Sequence, residues 1–230
     1  MSVHLEKEIE RLKKQILALS AKVEENVYKA VRALEERSGI LADEVMKGDR
    51  AVDEIEVEIE EECLKVLALY QPVAIDLRYI VTIMKVNNDL ERVGDLAVNI
   101  AERAAFLATV EGPDIPLDFP LMMEKTRTML RKSLDALMKR DAKIAHEVLA
   151  ADDEIDAMNS EMYIKIQEAI CRRPEQLESL IHLLSCSRHL ERIADHATNI
   201  AEDAIYLMEG EIVRHGFEDF LSERDGRVES

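Results

Sequence analysis

The stretch "LERVGDLAVNIAE", residues 90–102, returns as "LERIADHATNIAE" at residues 190–202, and the two copies agree at nine of thirteen positions. Each copy spaces its acidic and amide side chains three or four residues apart, as at Glu91, Asp95 and Asn99. Side chains at that spacing lie on one face of an α-helix. Carboxylates four residues apart repel each other and weaken an isolated helix by about 0.2–0.5 kcal/mol per pair. The repeat therefore indicates an internal duplication whose acidic faces need a counter-charge.

A second duplicated segment lies upstream of the first. The stretch "EVMKGDRAVD" at 44–53 aligns with "EVLAADDEID" at 147–156, a shift of 103 residues. Each half thereby gains another pair of aspartates four residues apart. The matched pairs are Asp49 with Asp53 and Asp152 with Asp156. In a tightly packed bundle, neighbouring helices could set the two acidic pairs of one half opposite each other.

The hydrophobic pattern predicts long helices throughout the chain. Apolar residues step by three or four along the first segment, as expected for a helix packed against neighbours. They are Leu5, Ile9, Leu12, Ile16, Leu19, Val23, Val27, Val31 and Leu34. Later segments carry similar stripes between short breaks, which favours a bundle over a single coiled coil. We predict an all-α fold of two similar three-helix bundles in tandem, with six long helices.

The breaks divide the chain. The segment "EGPDIPLDFP" at 111–120 contains three prolines, which a helix could not cross. Pro72 and Pro174 are predicted to open the third helix of each half, because proline is tolerated in a first turn. Ser38 and Asp141 are predicted N-caps of the second helices. The predicted parts are a first repeat at 1–110, a linker at 111–120, a second repeat at 121–215 and a polar tail at 216–230.

Composition narrows the functional classes. The net charge of −18 disfavours a nucleic-acid partner, because phosphate backbones repel such a surface. The N-terminal residues show no signal peptide, and no apolar run reaches the length of a membrane-spanning helix. The three cysteines have no zinc-type spacing, so they are expected to be small core side chains in a reducing compartment. A soluble intracellular protein is expected.

The acidic faces have two interpretations. They could be solvated helix surface, or they could bind hard cations that neutralise their repulsion. Carboxylate and amide oxygens suit magnesium, manganese, calcium or iron, whereas zinc and copper prefer histidine or cysteine. The repetition of both pairs at matched places favours metal binding.

Two further groups of residues receive weaker interpretations. His182, His189 and His196 recur every seven residues on one edge of the last helix, away from the acidic face. Nothing in the first half matches them, and a structural or surface role is favoured over metal ligation. Arg92 and Arg192 follow the motif glutamates and point about 100° away from the acids. Ion pairing within the bundle is favoured for both arginines.

Taken together, these motifs resemble the PhoU family, regulators of bacterial phosphate uptake. The resemblance covers almost the whole chain. It rests on the repeated "LER(V/I)xD…NIAE" segments, the two aspartate pairs, "QPVAIDLR" at 71–78 and the proline-rich linker. It implies two three-helix repeats whose acidic motifs bind multinuclear metal clusters, iron among them, with manganese and magnesium as other candidates. The implied ligands are Asp49, Asp53, Glu91 and Asp95, then Asp152, Asp156, Glu191 and Asp195, with Asn99 and Asn199 as further candidates.

The resemblance also implies a function. Members of the family are cytoplasmic, are usually dimers, and link the phosphate-specific ABC transporter to a sensor histidine kinase. They damp uptake and phosphate-starvation signalling when phosphate is plentiful, so a non-enzymatic regulator is expected. One alternative is a carboxylate-bundle metalloenzyme or iron store, but such sites use Glu-x-x-His and here Gly94 and Ala194 occupy the His positions. The other is a helical adaptor without metal.

Overall fold

The computed structural model describes residues 3–113 and 115–210. Six α-helices account for nearly all of this part of the chain, and it contains no β-strand. Their bounds are α1 Val3–Glu35, α2 Gly39–Tyr70, α3 Ala74–Leu107, α4 Phe119–Lys139, α5 Ala142–Arg172 and α6 Leu177–Glu209. The predicted all-α class with six long helices is confirmed. The predicted polar tail at 216–230 lies outside the described residues, and the predicted domain boundaries stay predictions.

Local signals account for several helix ends. The Ser38 hydroxyl accepts a hydrogen bond from the Leu41 amide, and the Asp141 carboxylate accepts one from the Lys143 amide. Both caps satisfy amides that the first turn leaves unpaired, as predicted. The prediction for the prolines needs correction. Pro72 precedes α3 by two residues, and Pro174 opens a short 3₁₀ turn ahead of α6.

The core follows the apolar stripes. Every member of the stripe in α1 is buried, including Ile16 and Leu19, which are fully enclosed. Burial of such a side chain contributes about 1.5–3 kcal/mol, so the stripe is a large part of what holds α1 in place. Cys63 and Cys186 are buried as predicted, but the prediction is wrong for Cys171, which is exposed at the penultimate position of α5.

The helices form two groups of three, and one helix from each group belongs to a central pair. Helices α1 and α2 pack on α3, while α4 and α5 pack on α6. Helix α3 then packs against α6, and α1 touches α4. Lys85 of α3 binds Asp203 of α6 at 2.9 Å, whereas Phe106 stacks on His182 with ring centroids 4.1 Å apart. Residues early in one helix contact residues late in the other, so α3 and α6 run antiparallel.

Candidate metal sites

The first group of predicted ligands lies between α2 and α3. We call Asp49, Asp53, Glu91 and Asp95 the first cluster. Gly94 lets the two helices approach here, because a Cβ atom added to it would lie 3.2 Å from Val52 Cγ1 and 3.9 Å from Asp49 Oδ1. Asp49 therefore lies beside the backbone of α3, next to the position of Asp95.

The carboxylates of the first cluster act on one another. The pKa of Asp49 is raised by partial burial and then by the negative charges of Asp53 and Asp95. The pKa of Glu91 is raised by partial burial and by Asp95, with a smaller contribution from Glu56. Glu56 was not predicted from the sequence, and it accepts a hydrogen bond from the side chain of Asn87 at 2.9 Å. Its place on α2, three residues after Asp53, was the available signal.

The prediction that Arg92 points away from the acids is wrong. Its Nη1 lies 3.1 Å from Asp95 Oδ2, and its Nε lies 3.4 Å from Glu91 Oε2. The side chain is long enough to turn back over the acidic face although its Cα–Cβ bond leaves at a different angle. Arg92 thus partly neutralises the first cluster. The predicted ion pairing within the bundle is confirmed for Arg92, whose partners are the candidate ligands themselves, whereas Arg192 forms no ion pair with the described residues.

The second group of predicted ligands lies between α5 and α6, and we call Asp152, Asp156, Glu191 and Asp195 the second cluster. The pKa of Asp152 is raised to about 6 by partial burial, followed by the charges of Asp156, Asp195 and Asp153. The pKa of Asp195 is also raised, first by desolvation and then by Asp156. Its side chain is exposed at the surface, yet the surrounding protein excludes enough water to disfavour its charge.

Glu191 completes the second cluster. Its pKa is raised by partial burial and by Asp195 and Asp156, against the opposite effect of Arg188 and Arg192. All eight predicted acids therefore lie in two electrostatically coupled groups, one in each half. Asp153 is an acid that the repeat alignment missed, because the matching position in the first half is Arg50.

Each cluster contains a buried oxygen that accepts no hydrogen bond from the described residues. In the first it is Glu91 Oε2, which has only the ion-pair contact with Arg92, and in the second it is Asp152 Oδ1. Buried polar atoms in folded proteins are nearly always bonded to protein, water or an ion. A hard cation at each cluster would bind the oxygen there and reduce the repulsion around it, so the donor chemistry fits such ions.

The side chains are not gathered into a coordination shell. Within residues 3–113 and 115–210, no three His, Cys, Asp or Glu side chains come close enough together to hold a metal ion. The clusters thus provide the charge and the donor type, and the ligand set stays a prediction.

The asparagines and histidines of the motif helices are placed differently. Asn199 and His196 of α6 both reach Asp89 of α3, at 3.5 Å and 2.8 Å respectively. Asn199 is therefore turned toward the other repeat, while Asn99 is half-buried on α3. His196 and His182 both join the repeats, which agrees with the structural role favoured from sequence. Asp89, just before the repeated motif, was missed because nothing in its own helix pairs with it.

Comparison with known proteins places the chain in a family. The profile of the PhoU domain matches residues 16–104 and again 119–204. The chain belongs to the PhoU family. A phosphate-specific transport system accessory protein PhoU homolog from Aquifex aeolicus is 42% identical over 210 residues, covering 91% of this chain and 95% of that protein.

Solved structures of the family agree with the fold described above. The crystal structure of PhoU from Pseudomonas aeruginosa has a TM-score of 0.86 at 34% identity and covers 90% of this chain and 99% of its own. The phosphate transport system regulatory protein PhoU from Streptococcus pneumoniae has a TM-score of 0.82 at 30% identity, with coverages of 91% and 99%. Both clusters lie within the two matched PhoU domains.

Proposed function

We propose that this chain is an accessory regulator of a phosphate-specific transport system, which lowers phosphate uptake and phosphate-starvation signalling when phosphate is plentiful. The observation that carries the proposal is the match to PhoU relatives over nine-tenths of the chain, with both PhoU domains present. The alternative of a ferritin-like metalloenzyme or iron store has no such support. Gly94 and Ala194 still stand where its Glu-x-x-His motifs would need histidine.

The proposed partners are the ATPase of the phosphate ABC transporter and a phosphate-sensing histidine kinase, met in the cytoplasm by a homodimer of this chain. These partners, and the dimer, come from the family resemblance. The acidic surface supports a protein partner over nucleic acid. None of the helices in the described part of the chain is both long and apolar enough to cross a membrane.

The proposed function includes metal binding at both clusters. Asp49, Asp53, Glu91 and Asp95 would hold ions in the first half, and Asp152, Asp156, Glu191 and Asp195 would hold them in the second. A bound iron, manganese or magnesium ion would supply positive charge that stabilises the folded helix pairs. The raised pKa values of Glu91 and Asp152 and their unbonded oxygens support this assignment.

Deletion of the gene tests the regulatory role. We expect the deletion strain to keep high phosphate uptake and active phosphate-starvation genes in phosphate-rich medium, and the intact gene on a plasmid should restore repression. Unchanged uptake and unchanged reporter expression in the deletion strain would contradict the proposal. A chain carrying Asp95→Asn and Asp195→Asn, expressed in the same strain, asks whether regulation needs the clusters. Full repression by that variant would favour a metal-free helical adaptor.

A further inference from the structure

The contact between α3 and α6 has two chemically different ends. Residue n of α3 aligns in the repeat with residue n + 100 of α6. Because the two helices run antiparallel, the residues in contact at one end of the α3–α6 pair align with the residues in contact at the other end. At one end, Lys85 pairs with the buried Asp203 at 2.9 Å, and Asp89 holds His196. At the other end the positions equivalent to Lys85, Asp203, Asp89 and His196 are Ser185, Arg103, His189 and Leu96.

The second end is basic in an otherwise acidic protein. Asp203 is matched by Arg103, Asp89 by His189, and Asn88 by Arg188. The residues that make up this region, which we call the basic end, are Arg103, His182, Arg188, His189 and Arg192. Three of the four changes add positive charge or remove negative charge, whereas the change from Lys85 to Ser185 removes a positive charge. The net result is a local gain of positive charge in a chain whose net charge is −18.

Contacts across the pair bring the basic end together. Phe106 of α3 stacks on His182 of α6, which sets Arg103, one turn earlier on α3, beside the turn of α6 that follows His182. The charges act at short range, because Arg103, Arg192 and Arg188 all contribute, after desolvation, to lowering the pKa of His189 to about 4. His189 is therefore neutral at physiological pH, and the arginines supply the positive charge.

Acidic side chains lie near the basic end without pairing with its arginines. The charges of Arg188 and Arg192 act to lower the pKa of Glu191, and that of Arg192 acts to lower the pKa of Asp195. In the described part of the chain, neither Arg103, Arg188 nor Arg192 forms an ion pair, although most other arginines of the helices do. His189 Nδ1 is buried and has no hydrogen-bond partner among the same residues. Glu178 lies near enough to His182 to raise its pKa slightly, but its charge is outweighed there by desolvation and Arg103.

We propose that the basic end is a binding site for a phosphate-type oxyanion, held by Arg103 from α3 and Arg188 from α6 with His189 beside them. Guanidinium groups bind phosphate oxygens through paired N–H donors, and two of them from different helices can enclose one tetrahedral anion. Arg103 and His189 are half-buried, so water screens the attraction less at their side of the site than at the open surface. The choice of phosphate as the ligand rests on the proposed function, and the site would let this regulator sense phosphate directly.

Titration of the full-length protein with inorganic phosphate, followed by calorimetry, tests the site. A chelator in the buffer prevents phosphate from binding through a metal ion at the clusters. We expect Arg188→Gln and Arg103→Gln each to weaken binding about tenfold or more, because each removes charge-assisted hydrogen bonds. The matched control is Arg50→Gln, which removes the same charge from an exposed position on α2 and should leave binding unchanged.

The outcomes separate the possible ligands and the two proposals. Binding of inorganic phosphate identifies the free anion, and binding of glycerol 3-phosphate alone identifies a phosphate ester; either supports the site when Arg188→Gln weakens it. Binding of neither, or equal weakening by Arg188→Gln and Arg50→Gln, would overturn it. Because Arg188 is exposed, its replacement tests the site without disturbing the core. If phosphate does not bind while the deletion strain shows unrestrained phosphate uptake, the proposed site is ruled out and the proposed regulation still holds.

Discussion

The first and second clusters share their sequence motif but differ in their electrostatics. In the first cluster, Arg92 lies against Asp95 and Glu91 and partly neutralises them. In the second, Arg192 stands at the matching position and forms no ion pair in the described part of the chain, although its charge acts to lower the pKa of Glu191 and Asp195. The pKa of Asp152 in that cluster reaches about 6. Duplicated motifs can thus keep the same ligands while one long side chain changes how strongly each site attracts a cation.

The helix pairs beneath the clusters differ as well. In the first half Gly94 faces Val52, and in the second the aligned residues are Ala194 and Ile155, both fully buried. The larger side chains of the second half fill the helix contact beneath its acids. Burial is the first cause of the raised pKa of both Asp49 and Asp152, and the larger rise at Asp152 indicates that its environment is the less hydrated one. We expect the second cluster to bind a hard cation more tightly than the first.

The largest effect is expected from removing one ligand in each cluster. Asp95→Asn combined with Asp195→Asn should weaken manganese binding by at least about tenfold, measured by calorimetry and elemental analysis. The variant should unfold no more easily than the wild type in metal-free urea titrations, because it also relieves repulsion between carboxylates.

A matched control for this experiment is available in both halves. Asp43→Asn with Asp135→Asn removes one exposed aspartate from each repeat, and each of these pairs with a lysine of its own helix. The control should bind manganese like the wild type. Equal metal content in the control and in the ligand variant would mean that both clusters are ordinary helix surface and not metal sites.

A smaller effect is expected from Asp152→Asn in metal-free protein. The folded state raises the pKa of Asp152 from 3.8 to about 6, so ionised Asp152 destabilises the fold. The penalty is absent below about pH 3.8, where both states are protonated, and grows as the pH rises to about 6. At pH 7.5 the variant should be more stable by about 1 kcal/mol, less than the shift alone suggests, because solvent screens a half-buried group.

The pH dependence compares the two clusters directly. Asp49→Asn should show the same sign with a smaller gain, since the pKa of Asp49 is raised by the same causes to a lesser extent. Urea unfolding at pH 3.5 and pH 7.5, in the presence of a chelator, gives both differences. A gain for Asp49→Asn that exceeds the gain for Asp152→Asn would reverse the ranking of the clusters.

The smallest effect is expected from the arginines. In a chain where Asp195→Asn disables the second cluster, Arg92→Gln should raise the manganese affinity of the first about two- to fivefold, the range of an exposed ion pair. Arg192→Gln in an Asp95→Asn chain should raise the affinity of the second cluster less. Equal gains in the two experiments would mean that the contact of Arg92 with Asp95 does not distinguish the clusters.

Much of the fold could be predicted because its causes are local in sequence. The apolar stripe of α1 and the caps at Ser38 and Asp141 each act within one or two turns, so their outcome follows from spacing. The two acidic clusters were also predictable, because the duplication marked the same positions twice. A single acidic helix face could not distinguish a metal site from solvated surface, and its repetition at matched positions favoured the metal site.

The remaining features depend on how the helices pack. Asp89 meets His196 only because α3 and α6 run antiparallel in contact, and no spacing along either helix encodes that pairing. Arg92 was predicted to point away because helical angle fixes the Cβ direction but not the end of a flexible side chain. The charge reversal at the basic end was visible in the repeat alignment, but its meaning depended on the α3–α6 contact.

Anomalous diffraction from crystals equilibrated with manganese would test most directly whether the second cluster binds a cation more tightly than the first. At a concentration that does not saturate the protein, we expect an anomalous peak at the second cluster, with its ion 2.0–2.6 Å from carboxylate oxygens. A peak at the first cluster should follow only as the concentration is raised. Density at the first cluster alone, or at neither cluster at saturating manganese, would contradict the roles assigned to Arg92 and to the buried oxygen of Asp152.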